Sequence, residues 1–112
     1  MVDQRAIEEV SERIAREFHP DRIVLFGSYA SGQATADSDV DLLVVLPFDG
    51  RSLEKSLDIL NRVQPGFPVD LLARRPDDIA RRYRDGDPLI RDAIDRGQVL
   101  YERDREGVDH QG

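Results

Sequence analysis

Three polar groupings interrupt apolar stretches of this sequence in a way that packing alone does not call for. Gly27-Ser28 ends the run Arg22-Ile-Val-Leu-Phe26, Asp39-Val40-Asp41 opens the run Leu42 to Leu46, and Asp70 sits inside Val69-Asp70-Leu71-Leu72. Side chains alternate along a strand, so Asp39 and Asp41 share one face at one end, and an adjacent strand could bring Asp70 alongside them. Three carboxylates in one small volume repel one another. Without a counter-charge, one or more must take up a proton at a cost in stability. A hard divalent cation removes that conflict. The chain has no cysteine and two scattered histidines, His19 at a helix end and His110 near the C-terminus, neither placed like a ligand. Oxygen-only ligands point to magnesium or manganese.

Gly27-Ser28 supplies a complementary half. A glycine after a strand lets the backbone approach a phosphate closely, and the following N–H groups with the serine hydroxyl can cradle its oxygens. Beside a carboxylate cluster this makes a site for a nucleoside triphosphate with its metal ions. Two ions about 3.5–4 Å apart can activate an attacking hydroxyl and stabilise departing pyrophosphate. The reaction class is nucleotidyl transfer. Asp-x-Asp alone carries no weight, because sixteen aspartates produce it three times, at 37/39, 39/41 and 85/87. The last reads as a solvated turn. What distinguishes 39/41 is the spacing of ten residues from Gly-Ser and its place between two predicted strands.

The elements that must position these groups follow from periodicity. Ile7, Val10, Ile14 and Phe18 recur at helical spacing over Asp3 to Phe18, and His19-Pro20 ends that helix. Arg22 to Phe26 is a first strand, and the small polar segment 27–38 could hold one helical turn at Tyr29-Ala30. Asp39 to Leu46 has apolar residues on both faces, which predicts a central strand with its carboxylates at the leading end. After a turn at Pro47 to Gly50, Ser52 is the expected N-cap of a helix whose inner face carries Leu53, Leu57, Leu60 and Val63. Phe67 to Ala73 is a third strand. Two helices follow, one from Pro76 to Tyr83 and one opening at Pro88 and stopping at Gly97, each with a leading proline. Val99-Leu100-Tyr101 completes the set. The order predicts an α/β (α+β) fold: a single small mixed β-sheet with flanking helices, in one domain over 1–101, with 102–112 a flexible tail.

Composition narrows the function. At 112 residues there is room for one compact core, and sixteen basic against twenty-three acidic residues give a formal charge of −7. Attraction to polymeric nucleic acid is therefore not expected. The longest apolar run, Leu42 to Leu46, is too short for a membrane span, and the charged helical N-terminus does not read as a signal peptide. A soluble, cytoplasmic protein is the expectation. Fifteen of the sixteen basic residues are arginine, with Lys55 the single lysine. Their one concentration is Arg74, Arg75, Arg81, Arg82 and Arg84, read as a solvated face paired with Asp77, Asp78 and Asp85, or else as a contact for a partner or for phosphate.

Leu25-Phe-Gly-Ser-Tyr-Ala-Ser-Gly32 followed by Asp37-Ser-Asp-Val-Asp-Leu-Leu43 resembles the signature of the DNA polymerase beta-like nucleotidyltransferase superfamily. Within it the chain is most similar to the minimal nucleotidyltransferase (MNT) proteins, which are about this length and often stand beside a HEPN-domain toxin as its antitoxin. The resemblance runs from the N-terminal helix to Val99-Leu-Tyr-Glu102. It implies a polymerase beta-like palm core, with Asp39 and Asp41 as paired metal ligands. Asp70 would be the third carboxylate, helping to deprotonate the acceptor, and Gly27 with Ser28 the triphosphate contact. It implies ATP as substrate with Mg2+, two ions, and transfer of AMP to a hydroxyl, a tyrosine on a HEPN toxin. Many relatives carry arginine where this chain has Ser31. Larger relatives append a domain that grips the acceptor, so here another chain, or self-association, is expected to complete that side. Two alternatives stand beside this one: an antitoxin that neutralises its partner by binding alone, and a transferase acting on a small molecule. Three crowded carboxylates have no physical use in the first, and the missing acceptor domain counts against the second.

Overall fold

The computed structural model describes residues 1–103. Helix α1, Gln4–Phe18, buries Ile7, Val10, Ser11 and Ile14 along one stripe. It ends where His19 turns left-handed (φ 50°) and its N–H closes on the Ala15 carbonyl, just before Pro20. Strand β1, Arg22–Phe26, leads into a single-turn helix α2, Ser28–Ser31, the turn expected at Tyr29-Ala30. Then come β2, Val40–Val45, α3, Ser52–Val63, and β3, Val69–Arg74. Helices α4, Pro76–Arg84, and α5, Pro88–Arg96, precede β4, Gln98–Glu102.

The four strands form one mixed sheet in the order β3-β2-β1-β4. β2 runs parallel to β3, with α3 as the crossover that a parallel pair requires, and antiparallel to β1, which in turn pairs antiparallel with β4. β2 is an interior strand, and its alternation divides two cores. Val40, Leu42 and Val44 pack with Ile7, Val10 and Ile14 of α1 and Ile59 and Val63 of α3. Leu43 and Val45 pack on the other side with Ile90 and Ala93 of α5 and with Ile79 and Tyr83 of α4. Each such fully buried aliphatic side chain contributes about 1.5–3 kcal/mol. Burial on both faces is what holds the leading end of β2 in place.

Helix α3 departs from expectation. Leu53 and Leu57 are 69% and 49% exposed, and the face turned to the sheet carries Ser56, Ile59 and Val63, with Leu60 partly buried. The Ser56 hydroxyl explains the rotation. It accepts the N–H of Ala73 in edge strand β3 at 3.0 Å and donates to the Ser52 carbonyl at 2.8 Å. A buried strand N–H without a partner is costly, so the polar position faces inward and two leucines face out. Ser52 is the first helical residue rather than the cap, which Arg51 occupies without a capping side-chain bond.

Strand β4 continues one residue past Tyr101. Glu102 pairs with Arg22, reinforced by an ion pair at 3.3 Å, and the Arg103 N–H donates to the Asp21 carbonyl at 2.9 Å. The rest of the expected tail, 104–112, with His110, lies outside the described residues. The arginine concentration is largely paired within the chain. Arg74, Arg81 and Arg82 converge on Asp78, which is 8% exposed, while Arg82 reaches Asp87 at 3.2 Å and Arg75 reaches Asp77 at 3.6 Å. Among the described residues no helix is long and apolar enough to cross a membrane.

Candidate active site

Register decides which polar groups meet. Phe26, the last residue of β1, stands opposite Asp41 of β2, and Asp41 stands beside Asp70 of β3 in the parallel pair. Gly27 follows Phe26 directly, so β1, β2 and β3 bring Gly27, Asp41 and Asp70 to one end of the sheet. By alternation, Asp41 and Asp70 share the face of Leu43 and Leu72, the side covered by α4 and α5. Asp41 is half-buried, Asp70 is exposed, and Asp39 is exposed one residue ahead of β2.

The electrostatics follow that placement. Burial, then the neighbouring charges of Asp70 and Asp39, hold the Asp41 carboxyl above the usual carboxylate range. This is the conflict anticipated for three clustered carboxylates, and it singles out the central one. As placed, no three acidic or imidazole side chains among the described residues converge closely enough to enclose an ion. The donor chemistry nonetheless fits a hard cation: the groups are all oxygen, share one sign of charge, and the central one is burdened by burial and by its neighbours' charges.

Two features favour glycine at position 27. Its φ of +73° and ψ of −150° lie where L-residues are strained, and a Cβ built on it would fall 2.2 Å from Oδ2 of Asp41. The absence of a side chain is what lets this carboxylate lie against the backbone of the β1–α2 turn. The Gly27 carbonyl accepts the N–H groups of Ala30 and Ser31, both at 3.1 Å, fixing the turn that presents Ser28. The connection to β2 is tied by Ser38, whose hydroxyl accepts the Thr35 N–H at 2.9 Å and whose own N–H reaches the Thr35 carbonyl at 3.0 Å. Ser38 thus holds this loop together.

A small cavity of about 100 Å³ adjoins this turn, with Phe26, Gly27, Ala30 and Ser31 on one wall and Asp92, Arg96 and Gly97 on the other. Nothing local to the turn points to the second wall, because α5 lies far along the chain at Pro88–Arg96. Gly97 is legible only as a helix stop. In the folded chain it does more: a Cβ there would meet the Ala93 carbonyl at 2.3 Å, Val24 Cγ1 at 2.5 Å and the Leu25 carbonyl at 2.9 Å. Its φ of −72° suits any residue, so the demand for glycine is one of space, against the end of α5 itself and against β1.

The model of the nucleotidyltransferase domain family matches residues 7–100. The chain belongs to that family. The match takes in both the Gly27-Ser28 turn and the three aspartates, and the mixed sheet with flanking helices agrees with solved relatives. A candidate nucleotidyltransferase of Sulfolobus solfataricus superposes with a TM-score of 0.64 at 19% identity, over 90% of this chain and 81% of the other. A chain from a complex of a tri-AMPylated Shewanella oneidensis HEPN toxin with MNT antitoxin superposes with a TM-score of 0.54 at 18% identity, over 95% of this chain and 78% of the other. In sequence, a candidate protein adenylyltransferase of Methanocaldococcus jannaschii is 26% identical over 103 residues, 90% of this chain and 100% of its own length. A 70-residue stretch is 39% identical to a UDP-N-acetylmuramate–L-alanine ligase of Verminephrobacter eiseniae, covering 62% of this chain. This chain spans only 13% of that ligase's length.

For a nucleotidyltransferase the arrangement has a simple chemical sense. Carboxylates at the leading ends of β2 and β3 lie next to a side-chain-free turn at the end of β1, so oxygen donors and open backbone share one end of the sheet.

Proposed function

We propose that this chain transfers AMP from ATP to a hydroxyl of a partner protein in the cytoplasm, a tyrosine of a HEPN-domain toxin, and so acts as an antitoxin. The observation that carries the reading is the register placing Asp41 beside Asp70 and against Gly27 in a chain of this family. Asp39, Asp41 and Asp70 would hold Mg2+, which when bound offsets their mutual repulsion and the charge of the triphosphate. Gly27 and Ser28 receive the triphosphate. The acceptor oxygen forms a bond to the α-phosphorus as the bond from that phosphorus to the bridging α–β oxygen breaks, pyrophosphate leaves, and the hydroxyl proton passes to Asp70. The choice of a protein acceptor and of AMP draws support from two relatives: the archaeal candidate adenylyltransferase and the antitoxin complex with an AMPylated toxin.

The test is transfer of label from α-³²P ATP to the co-purified partner. Label should appear on the partner with the wild-type chain and be lost with Asp39→Asn/Asp41→Asn. No transfer by wild type, or equal transfer by the double variant, overturns the proposal.

A further inference from the structure

We infer that Arg96 is a phosphate-binding residue of this site, holding the triphosphate from the α5 wall of the cavity beside Gly27. The inference rests on the nucleotide-transfer reading above. Arg96 is the one cation among the residues lining that cavity, across from Gly27 and Ser31. The acidic cluster leaves this end of the sheet strongly negative, and a triphosphate entering it needs positive charge from the protein as well as from metal. Most of the other arginines of β3, α4 and α5 are engaged elsewhere, and Arg84 is outside the cavity lining. Arg74, Arg81 and Arg82 surround Asp78, and Arg91 donates to the Tyr83 carbonyl at 2.8 Å while lying over the Tyr83 ring. Arg96 has only a 3.7 Å pair with Asp92, and its side chain is 84% exposed. Such an exposed pair is weak and exchanges readily for a more highly charged anion.

Gly97 makes the position reproducible. With no Cβ, it packs the end of α5 directly on Val24 and Leu25 of β1, three and two residues before Gly27. The helix end and the Gly27 turn are therefore anchored on the same strand, and Arg96 remains beside the turn. The competing role for Arg96 is that of a solvated cation favouring the C-terminus of α5. That role predicts no dependence on phosphate.

The experiment measures binding of ATP and of adenosine, each with Mg2+, to the full chain by calorimetry, for wild type, Arg96→Gln, Arg96→Lys and the control Arg84→Gln. Arg84 is exposed and pairs only with Asp85 at 4.0 Å. Arg96→Gln should weaken ATP about tenfold, the loss of one charge-assisted contact, and leave adenosine unchanged. Arg96→Lys should recover part of the loss, Arg84→Gln should match wild type, and all four proteins should melt alike. ATP binding by Arg96→Gln within twofold of wild type, or an equal loss for adenosine, overturns the assignment of Arg96 while leaving the transferase reading intact. Absence of ATP binding by wild type overturns the transferase reading and the role of Arg96 with it.

Discussion

Replacing Asp41 with asparagine should make the metal-free protein more stable while destroying its activity. Asp41 lies beside Asp70 across a parallel strand pair, with Asp39 two residues away, and is partly buried. Adjacent strands are about 4.8 Å apart. At about 5 Å, two like charges repel by about 0.8 kcal/mol in a water-like dielectric and about 3 kcal/mol at an effective dielectric of 20. Asp70 and Asp39 are exposed, so screening holds the value near the lower bound, about 1 kcal/mol. For a domain of this size that corresponds to a rise in melting temperature of about 4 °C. The pH dependence has a definite sign. A carboxyl whose folded pKa is raised above its unfolded value binds its proton more tightly when folded. Its stabilising contribution is complete below the unfolded value of 3.8 and is lost as pH rises through the higher folded value. The advantage of Asp41→Asn should therefore be full at neutral pH, shrink on acidification, and shrink also in high salt. Calorimetric melts in EDTA across pH and salt read all three. Adding Mg2+ with ATP should reverse the order, since a ligand at a hundred times its Kd stabilises the wild type by about 2.7 kcal/mol and the variant has lost a ligand to it. A variant that melts at or below wild type in EDTA at pH 7 would refute the reasoning, because the carboxylates would then not be in conflict.

Asp87 should titrate in the opposite sense. Its carboxylate accepts the N–H groups of Ile90 at 3.2 Å and Leu89 at 3.0 Å and an Arg82 bond at 3.2 Å, and these hold its pKa below 3.8. The stability it contributes is present above the unfolded value and lost as pH falls through the lower folded one, so Asp87→Asn should flatten the acid limb of a melting-temperature profile below pH about 4. Ser56→Ala strands the buried Ala73 N–H and should lower stability by about 1–3 kcal/mol in urea unfolding, with Mg2+-ATP affinity unchanged. A loss below about 0.5 kcal/mol would mean that the β3 edge is satisfied in some other way.

Much of the fold is legible because its determinants are local. The strand Val40–Val45 could be read from apolar residues on both faces, and the turn at Ser28–Ser31 from small polar residues after an abrupt strand end. The candidate site was legible for the same reason. Gly27, Ser28, Asp39 and Asp41 fall within one short stretch, and Asp70 declares itself as a charge inside an apolar run. Helix α3 was misread at Leu53 and Leu57 because leucine periodicity counts apolar surface alone. The deciding contact is a hydroxyl meeting a strand N–H seventeen residues away, and nothing in the helix's own pattern records it.

Arg96 and Gly97 show where local reading ends. A glycine after a helix has an adequate local explanation, and an arginine in the last turn has another. The first does not hold here, since the φ of −72° at Gly97 suits any residue, and the second does not exhaust Arg96. Gly97 is required by Val24 and Leu25 of β1, far from it in sequence, as well as by the Ala93 carbonyl of its own helix. The same packing places a helix-end arginine on the far wall of the cavity beside Gly27. The glycines at 27 and 97 thus do one kind of work from opposite sides: each removes a Cβ so that a neighbour can close on β1 or its following turn, Asp41 in one case and α5 in the other. The cavity between them is narrow because both approaches are close, Asp41 against the Gly27 turn and the end of α5 against β1.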